Sequence, residues 1–153
     1  MEIIRRKTDY GLRALAELAT QPIGKSLLAS EISEAVSVPE NFLHKILQEL
    51  QQAGLVKANR GRGGGFTLAK SPSEISLWEV VQALQGPFVV NRCLLGEDVC
   101  SRQEMCGLRS TWVAVQSQFV RFLEHVSLGQ LALSHGNHGH HAAKAERATA
   151  PRT

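Results

Sequence analysis

Three cysteines, Cys93, Cys100 and Cys106, stand in a C-x6-C-x5-C arrangement, and they are the only thiols in the 153 residues. An odd number of thiols in a chain that opens without an apolar secretion leader argues against a disulfide framework and for metal or redox chemistry. The gaps are wider than zinc-finger clips and suit a loop wrapped around a larger inorganic core. An iron–sulfur cluster is therefore the first candidate, thiol oxidation and zinc are the rivals, and inert buried thiols are the bland alternative. A cubane needs four ligands, so three thiolates leave one iron to an oxygen, nitrogen or exogenous donor. By simple charge counting such a cluster carries about one net negative charge, which Arg92 and Arg102 are placed to offset.

A second concentration of chemistry lies upstream. Lys57, Arg60, Arg62 and Lys70 form a basic run with no carboxylate between residues 55 and 70, and glycines stand at 61, 63, 64 and 65. Such a finger lets the backbone approach a phosphate and leaves two arginines exposed for insertion into a narrow groove. A simple tight turn is the plainer account. A nucleotide-binding glycine loop is excluded because the G-x-x-x-x-G-K-[ST] arrangement is missing and no helix opens from the segment. Before the finger, Glu40, Asn41, His44, Lys45 and Gln48 lie off an apolar helical stripe, free to meet base edges and phosphates. A solvated helix face has the same look.

These groups need elements to hold them. Tyr10, Ala14, Leu15 and Leu18 recur at helical spacing from Thr8 to Thr20, ahead of Gln21-Pro22. Leu28, Ile32, Ala35 and Val36 mark a second helix, broken at Ser37-Val38-Pro39. Phe42, Leu43, Ile46, Leu47 and Leu50 mark the core face of a third, with Gly54 as its left-handed cap. Residues 55–58 and 66–68 read as a hairpin around the glycines. Ser76 and Glu79 have capping-box spacing for a helix over 77–85 that buries Trp78, Val81 and Leu84. Residues 88–109 read as a loop. From Ser110, Trp112, Val115, Phe119, Phe122, Leu123 and Val126 give an apolar face wider than one small domain needs, which implies a partner helix.

The expected fold is mainly α with a small β-hairpin: a winged helix-turn-helix at 1–86, a cysteine-bearing loop at 87–109, a long dimerisation helix at 110–133 and a disordered tail at 134–153. In that tail His135, His138, His140 and His141 could hold a divalent metal, although a floppy segment unrelated to sensing is the simpler account. Composition is ordinary for a folded protein, at 43% hydrophobic and 20% charged, and the net charge of +3 says little about partners until its clustering is considered. No stretch approaches the roughly 18 apolar residues of a membrane span. A cytoplasmic protein is expected, and no nucleophile–base motif suggests an enzyme.

With wing and cysteines described, the chain resembles the IscR, NsrR and RirA family of winged-helix regulators over residues 2 to about 133. The matching pieces are TDYGLRAL at 8–15, the wing from Gly54 to Phe66, the three-cysteine loop and SLGQL at 127–131. The resemblance implies a homodimer built on the long helix that binds double-stranded DNA at an inverted-repeat operator, as a repressor coupled to iron, redox state or nitric oxide. It assigns Asn41, His44 and Lys45 to base reading, Arg60 to the wing tip with Arg62 beside it, and Cys93, Cys100 and Cys106 to a cluster, a four-iron one first and a two-iron one second. Arg109 stands where the iron–sulfur-homeostasis branch has a histidine ligand. Asp9 matches the aspartate that reaches across the dimer in the nitric-oxide branch, and is the favoured fourth ligand. Glu97, Asp98 and Glu104 are alternatives, capping of the first helix is the plainer role for Asp9, and His125 is expected to be a surface residue. A regulator without a cluster, or a module docking an acidic protein through its basic hairpin, is the alternative function.

Overall fold

The first helix, α1 (Arg6–Thr20), carries Ala14, Leu15 and Leu18 on its inner face and has Gly11 where α4 (Leu77–Gln85) crosses it. A Cβ at Gly11 would run into the Leu84 side chain, so the absence of one sets how closely the two helices pack. The computed structural model describes residues 3–22, 24–61, 63–96, 99–102 and 105–136. Gln85, the last residue of α4, closes the same contact: its Oε1 accepts from the backbone N–H of Arg5 at 3.1 Å and from the Thr8 hydroxyl at 3.3 Å, and its Nε2 donates to the Ile3 carbonyl at 2.8 Å. Thr8 is fully buried and has this partner, as a buried hydroxyl requires.

Helices α2 (Ala29–Val36) and α3 (Glu40–Gln52) form the helix-turn-helix. The turn is held by Ser33, whose hydroxyl donates to the Val38 carbonyl at 2.7 Å while the Val38 N–H returns to the Ser33 carbonyl at 3.1 Å. Ser37 between them takes a left-handed conformation, φ 53°, and Gly54 does so after α3, at φ 73°. Strands β1 (Val56–Asn59) and β2 (Gly65–Leu68) pair antiparallel, Val56 with Leu68 and Asn59 with Gly65. Leu27 adds a single-residue bridge to Phe66, with N–H to carbonyl distances of 3.0 and 2.7 Å. The wing is thus fastened, close to the tip-side end of its strands, to the segment before α2.

The capping box of α4 forms as its spacing predicts: Ser76 Oγ accepts from the Glu79 N–H at 3.2 Å and Glu79 Oε2 accepts from the Ser76 N–H at 2.9 Å. Val80, Val81 and Leu84 are the buried residues of this helix. Trp78, expected in the core, is half-buried and meets Phe88 edge-on at 6.1 Å; Phe88 in turn stacks on Phe119 at 5.0 Å.

The long C-terminal element departs from expectation. It begins at Gly107, three residues before Ser110, and it is two helices: α5 (Gly107–His125) and α6 (Leu128–Gly136). The break is made by hydrogen bonds to the start of α4. Leu77 N–H donates to the Val126 carbonyl and Leu128 N–H to the Ile75 carbonyl, both at 2.9 Å, so backbone that would have continued α5 is spent on Ser76 and its neighbours. Gln130 Oε1 accepts from the Ser127 N–H at 3.0 Å and opens α6 in capping-box fashion. Leu128, fully buried, then enters the core shared by Leu15, Ile32, Leu43, Leu47 and Ile75. Residues 137–153, with three of the tail histidines, lie outside the described residues.

Candidate functional site

Helix α3 is anchored by Leu43, Ile46, Leu47 and Leu50, each at most 2% exposed, which fixes its rotation and sends the opposite face outward. Asn41, Lys45 and Gln48 follow one another along that outer line at helical spacing, and His44 lies beside them; all four are exposed. His44 Nε2 sits 3.4 Å from Glu40 Oε1, one turn back. Glu49, the other carboxylate of the helix, is drawn towards α1 by Lys7 at 2.8 Å. Phe42, expected on the core face, is 57% exposed. Its angular step from Leu43 is about 100°, enough to leave the buried stripe.

The wing presents Lys57, Asn59 and Arg60 as exposed residues, and Ser26 Oγ donates to the Gly63 carbonyl at 2.6 Å to steady its tip. Lys70 does not belong to this finger. Its Nζ pairs with Glu79 Oε1 at 2.8 Å, so its charge is matched by α4. Arg62 lies outside the described residues.

Cys93, Cys100 and Cys106 are free thiols, all half-buried. Cys93 belongs to a 3-10 turn (Arg92–Leu94) and its N–H donates to Asn91 Oδ1 at 3.3 Å. The loop is tied to α5 by Val90 N–H donating to Gln116 Oε1 at 3.1 Å. Cys106 immediately precedes α5, whose first-turn N–H groups form an anion-favouring end, and it lines a cleft of about 750 Å³ with Arg102, Met105, Gly107 and Leu108. Arg109 Nε, in the first turn of the helix, is buried without a hydrogen-bond partner among the described residues. Asp9, in the first turn of α1, pairs with Arg13 at 2.8 Å. Among the described residues no three of His, Cys, Asp and Glu converge at metal-binding distances. The base-reading candidates of α3 thus share one face, whereas the candidate ligands are not gathered into a preformed cage within one chain. Glu97, Asp98 and Glu104 lie outside the described residues, and His125 is exposed, its Nδ1 2.7 Å from the Arg121 carbonyl.

Along α5, Leu108, Val115 and Phe122 recur every seventh residue and are 67, 45 and 64% exposed. Trp112 and Phe119 lie on the adjoining line, so that the five positions from 108 to 122 alternate steps of four and three, the spacing of a helix–helix seam.

Residues 4–133 match the family model Rrf2, described as an iron-dependent transcriptional regulator. The chain belongs to the Rrf2 family. It is a transcription regulator with a DNA-binding winged helix, and regulators of the Rrf2 family are typically dimeric. Among solved structures, CymR of B. subtilis, the global cysteine regulator of that organism, is 27% identical, with a TM-score of 0.72 over 88% of this chain and 98% of CymR. T. potens IscR is 22% identical, with a TM-score of 0.70 over 92% and 93% of the two chains, and the oxidized form of Staphylococcus aureus CymR is 23% identical, with a TM-score of 0.68 over 86% and 96%. The latter two likenesses show the winged-helix fold. Among the described residues no helix is long and apolar enough to cross a membrane.

Within this Rrf2 chain, three features were missed in the sequence. Phe42 sat too near the apolar stripe to be told from it. The Lys70–Glu79 pair joins residues that periodicity treats separately. The start of α6 did carry a signal, since Ser127 and Gln130 have capping spacing, but the apolar run through Val126 to Leu131 masked it.

Proposed function

We propose that the protein is a homodimeric repressor that reads an inverted repeat in double-stranded DNA, and that an iron–sulfur cluster on Cys93, Cys100 and Cys106 sets its DNA affinity. The observation that carries this reading is the placement of three free, half-buried thiols on one tethered loop at the N-terminus of α5, beside an unpartnered apolar line. The donor set fits: soft thiolates suit iron–sulfur clusters, and Arg102 with the first turn of α5 offsets their negative charge. When bound, the cluster supplies an inorganic core that responds to iron supply, oxidants or nitric oxide. A four-iron cluster is favoured over a two-iron one.

The partner's Asp9 is the fourth ligand in this reading, reaching across the dimer. Among the described residues the Asp9 carboxylate is held by the exposed pair with Arg13. Helical pairs of that kind contribute roughly 0.3–0.5 kcal/mol, so exchanging Arg13 for another partner costs little. On the DNA, Asn41, His44 and Lys45 read base edges, while Arg60 and Arg62 enter the flanking groove. Two copies of α3 fall on half-sites roughly 34–36 Å apart.

A second reading keeps the regulator and drops the cluster, with the thiols responding by oxidation or holding zinc. It is favoured by the likeness to CymR and by the absence of a gathered ligand group among the described residues. An anaerobic absorption spectrum with iron and sulfide analysis separates the two. Colour with stoichiometric iron and sulfide, lost in Cys100→Ala, is the expected result. A colourless wild type that takes up no iron on reconstitution overturns the cluster, and absence of salt-dependent duplex binding would favour a protein-docking module instead.

A further inference from the structure

We propose that Phe42 reads the C5-methyl group of a thymine in the major groove, which makes it a specificity-determining residue. The proposal rests on the reading of α3 as the DNA-contacting helix and extends it to a side chain that helical periodicity assigns to the core. Phe42 is the only apolar residue of α3 outside the buried set, and it is 57% exposed. It is the third residue of the helix, within the N-terminal turn that recognition helices present to base edges. Its backbone is fixed there: the Phe42 N–H donates to the Pro39 carbonyl at 3.0 Å and to Asn41 Oδ1 at 2.9 Å.

Single exposed apolar residues are common on protein surfaces. The company of this one decides its role. Asn41 precedes it, Lys45 is one turn on, and the nearest carboxylate on its flank, Glu49, is occupied by Lys7. A phenyl ring has no donor or acceptor to offer a base edge. The major groove has one apolar feature that distinguishes base pairs, the thymine methyl, and phenylalanine is among the side chains that contact it. Wedging of apolar rings between base steps belongs to minor-groove binding, which is not the groove a recognition helix enters. Phe42 would therefore supply shape discrimination where Asn41, His44 and Lys45 supply hydrogen bonds.

The test uses the full chain, purified without air, to select duplexes from a random library. Selected sites are expected to share a thymine at a fixed place in each half-site. Replacing that thymine by deoxyuridine removes only the methyl and should weaken wild-type binding about fourfold per half-site, the equivalent of one buried methyl group. Phe42→Ala should bind the two duplexes equally, Phe42→Leu should keep part of the discrimination, and both should unfold at the wild-type temperature because the ring is exposed. If wild type is indifferent to deoxyuridine at every thymine of its site, or if Phe42→Ala keeps the discrimination, the role of Phe42 is overturned while the DNA-reading assignment stands. If no sequence is selected, that assignment falls and Phe42 with it.

Discussion

Gly65 shows how a single position sets the wing. Its φ is 128°, a region that suits glycine, and a Cβ there would press on the Leu27 carbonyl group, with its carbon at 2.7 Å and the Leu28 nitrogen at 3.1 Å. The obstacle is backbone, and it is held by the two hydrogen bonds between Leu27 and Phe66. Gly65→Ala is therefore expected to cost more than about 1 kcal/mol and to lower the melting temperature by several degrees. Duplex affinity should fall with it, because relieving the clash means moving the strand that leads from Arg60. Calorimetry and a salt titration of DNA binding check both. The glycines at 61, 63, 64 and 65 were legible as a turn, but that Gly65 faces a wall was not, since that wall is Leu27, far upstream; the one Gly64 faces is the wing's own Asn59 and Gly61 carbonyls. The same limit hid Phe42: a helical stripe has flanks, and only the packed partners decide which flank is covered.

At the level of elements, the bounds of α4 were legible because their signals are local, while its buried face turned out to hold Val80 in place of Trp78. Ser76 and Glu79 are three residues apart and Gly86 follows the last turn. The lysine that joins them was not. Lys70 hydrogen-bonds the Glu79 carboxylate, and with the Ser76 N–H this holds the carboxyl below its ordinary value of 4.5, against the opposing effect of burial. A depressed carboxylate contributes stability that is present above the ordinary value and is lost as pH falls through the folded one. Glu79→Ala is accordingly expected to lose about 1 kcal/mol at pH 7, the worth of a good cap. The gap to wild type should narrow below pH 4.5, as urea unfolding at neutral and acid pH would show. The division between α5 and α6 was the hardest feature to foresee. It depends on Ile75 and Leu77 hydrogen-bonding the joint, and a heptad-like run gives no warning of that. The cysteine loop was legible as a segment without helical period, whereas the arrangement of its thiols depends on partners that lie on other elements, such as Gln116 of α5.

For the whole molecule, the exposed line of Leu108, Val115 and Phe122 lies on a helix of about 28 Å at 1.5 Å per residue. Phe122→Asp should convert a dimer to monomers by sedimentation across a concentration series, without lowering the unfolding temperature of the monomer, because the ring is 64% exposed in the single chain. Leu123→Asp, one residue on and 7% exposed, should instead unfold it. A dimer that persists in Phe122→Asp would place the interface elsewhere. The return of Leu128 to the core beside Leu15 and Leu43 also bears on how the molecule is made. A polypeptide grows from its N-terminus, so α1 and α3 are synthesised long before the residue that completes their packing. By the time Leu128 leaves the ribosome, all of α5 has already left it. Closure of the core by Leu128 therefore comes after the whole of α5 has emerged. A chain released before residue 128 would lack the side chain that fills the core beside Leu15 and Leu43, and is expected to unfold at a lower temperature than the full chain.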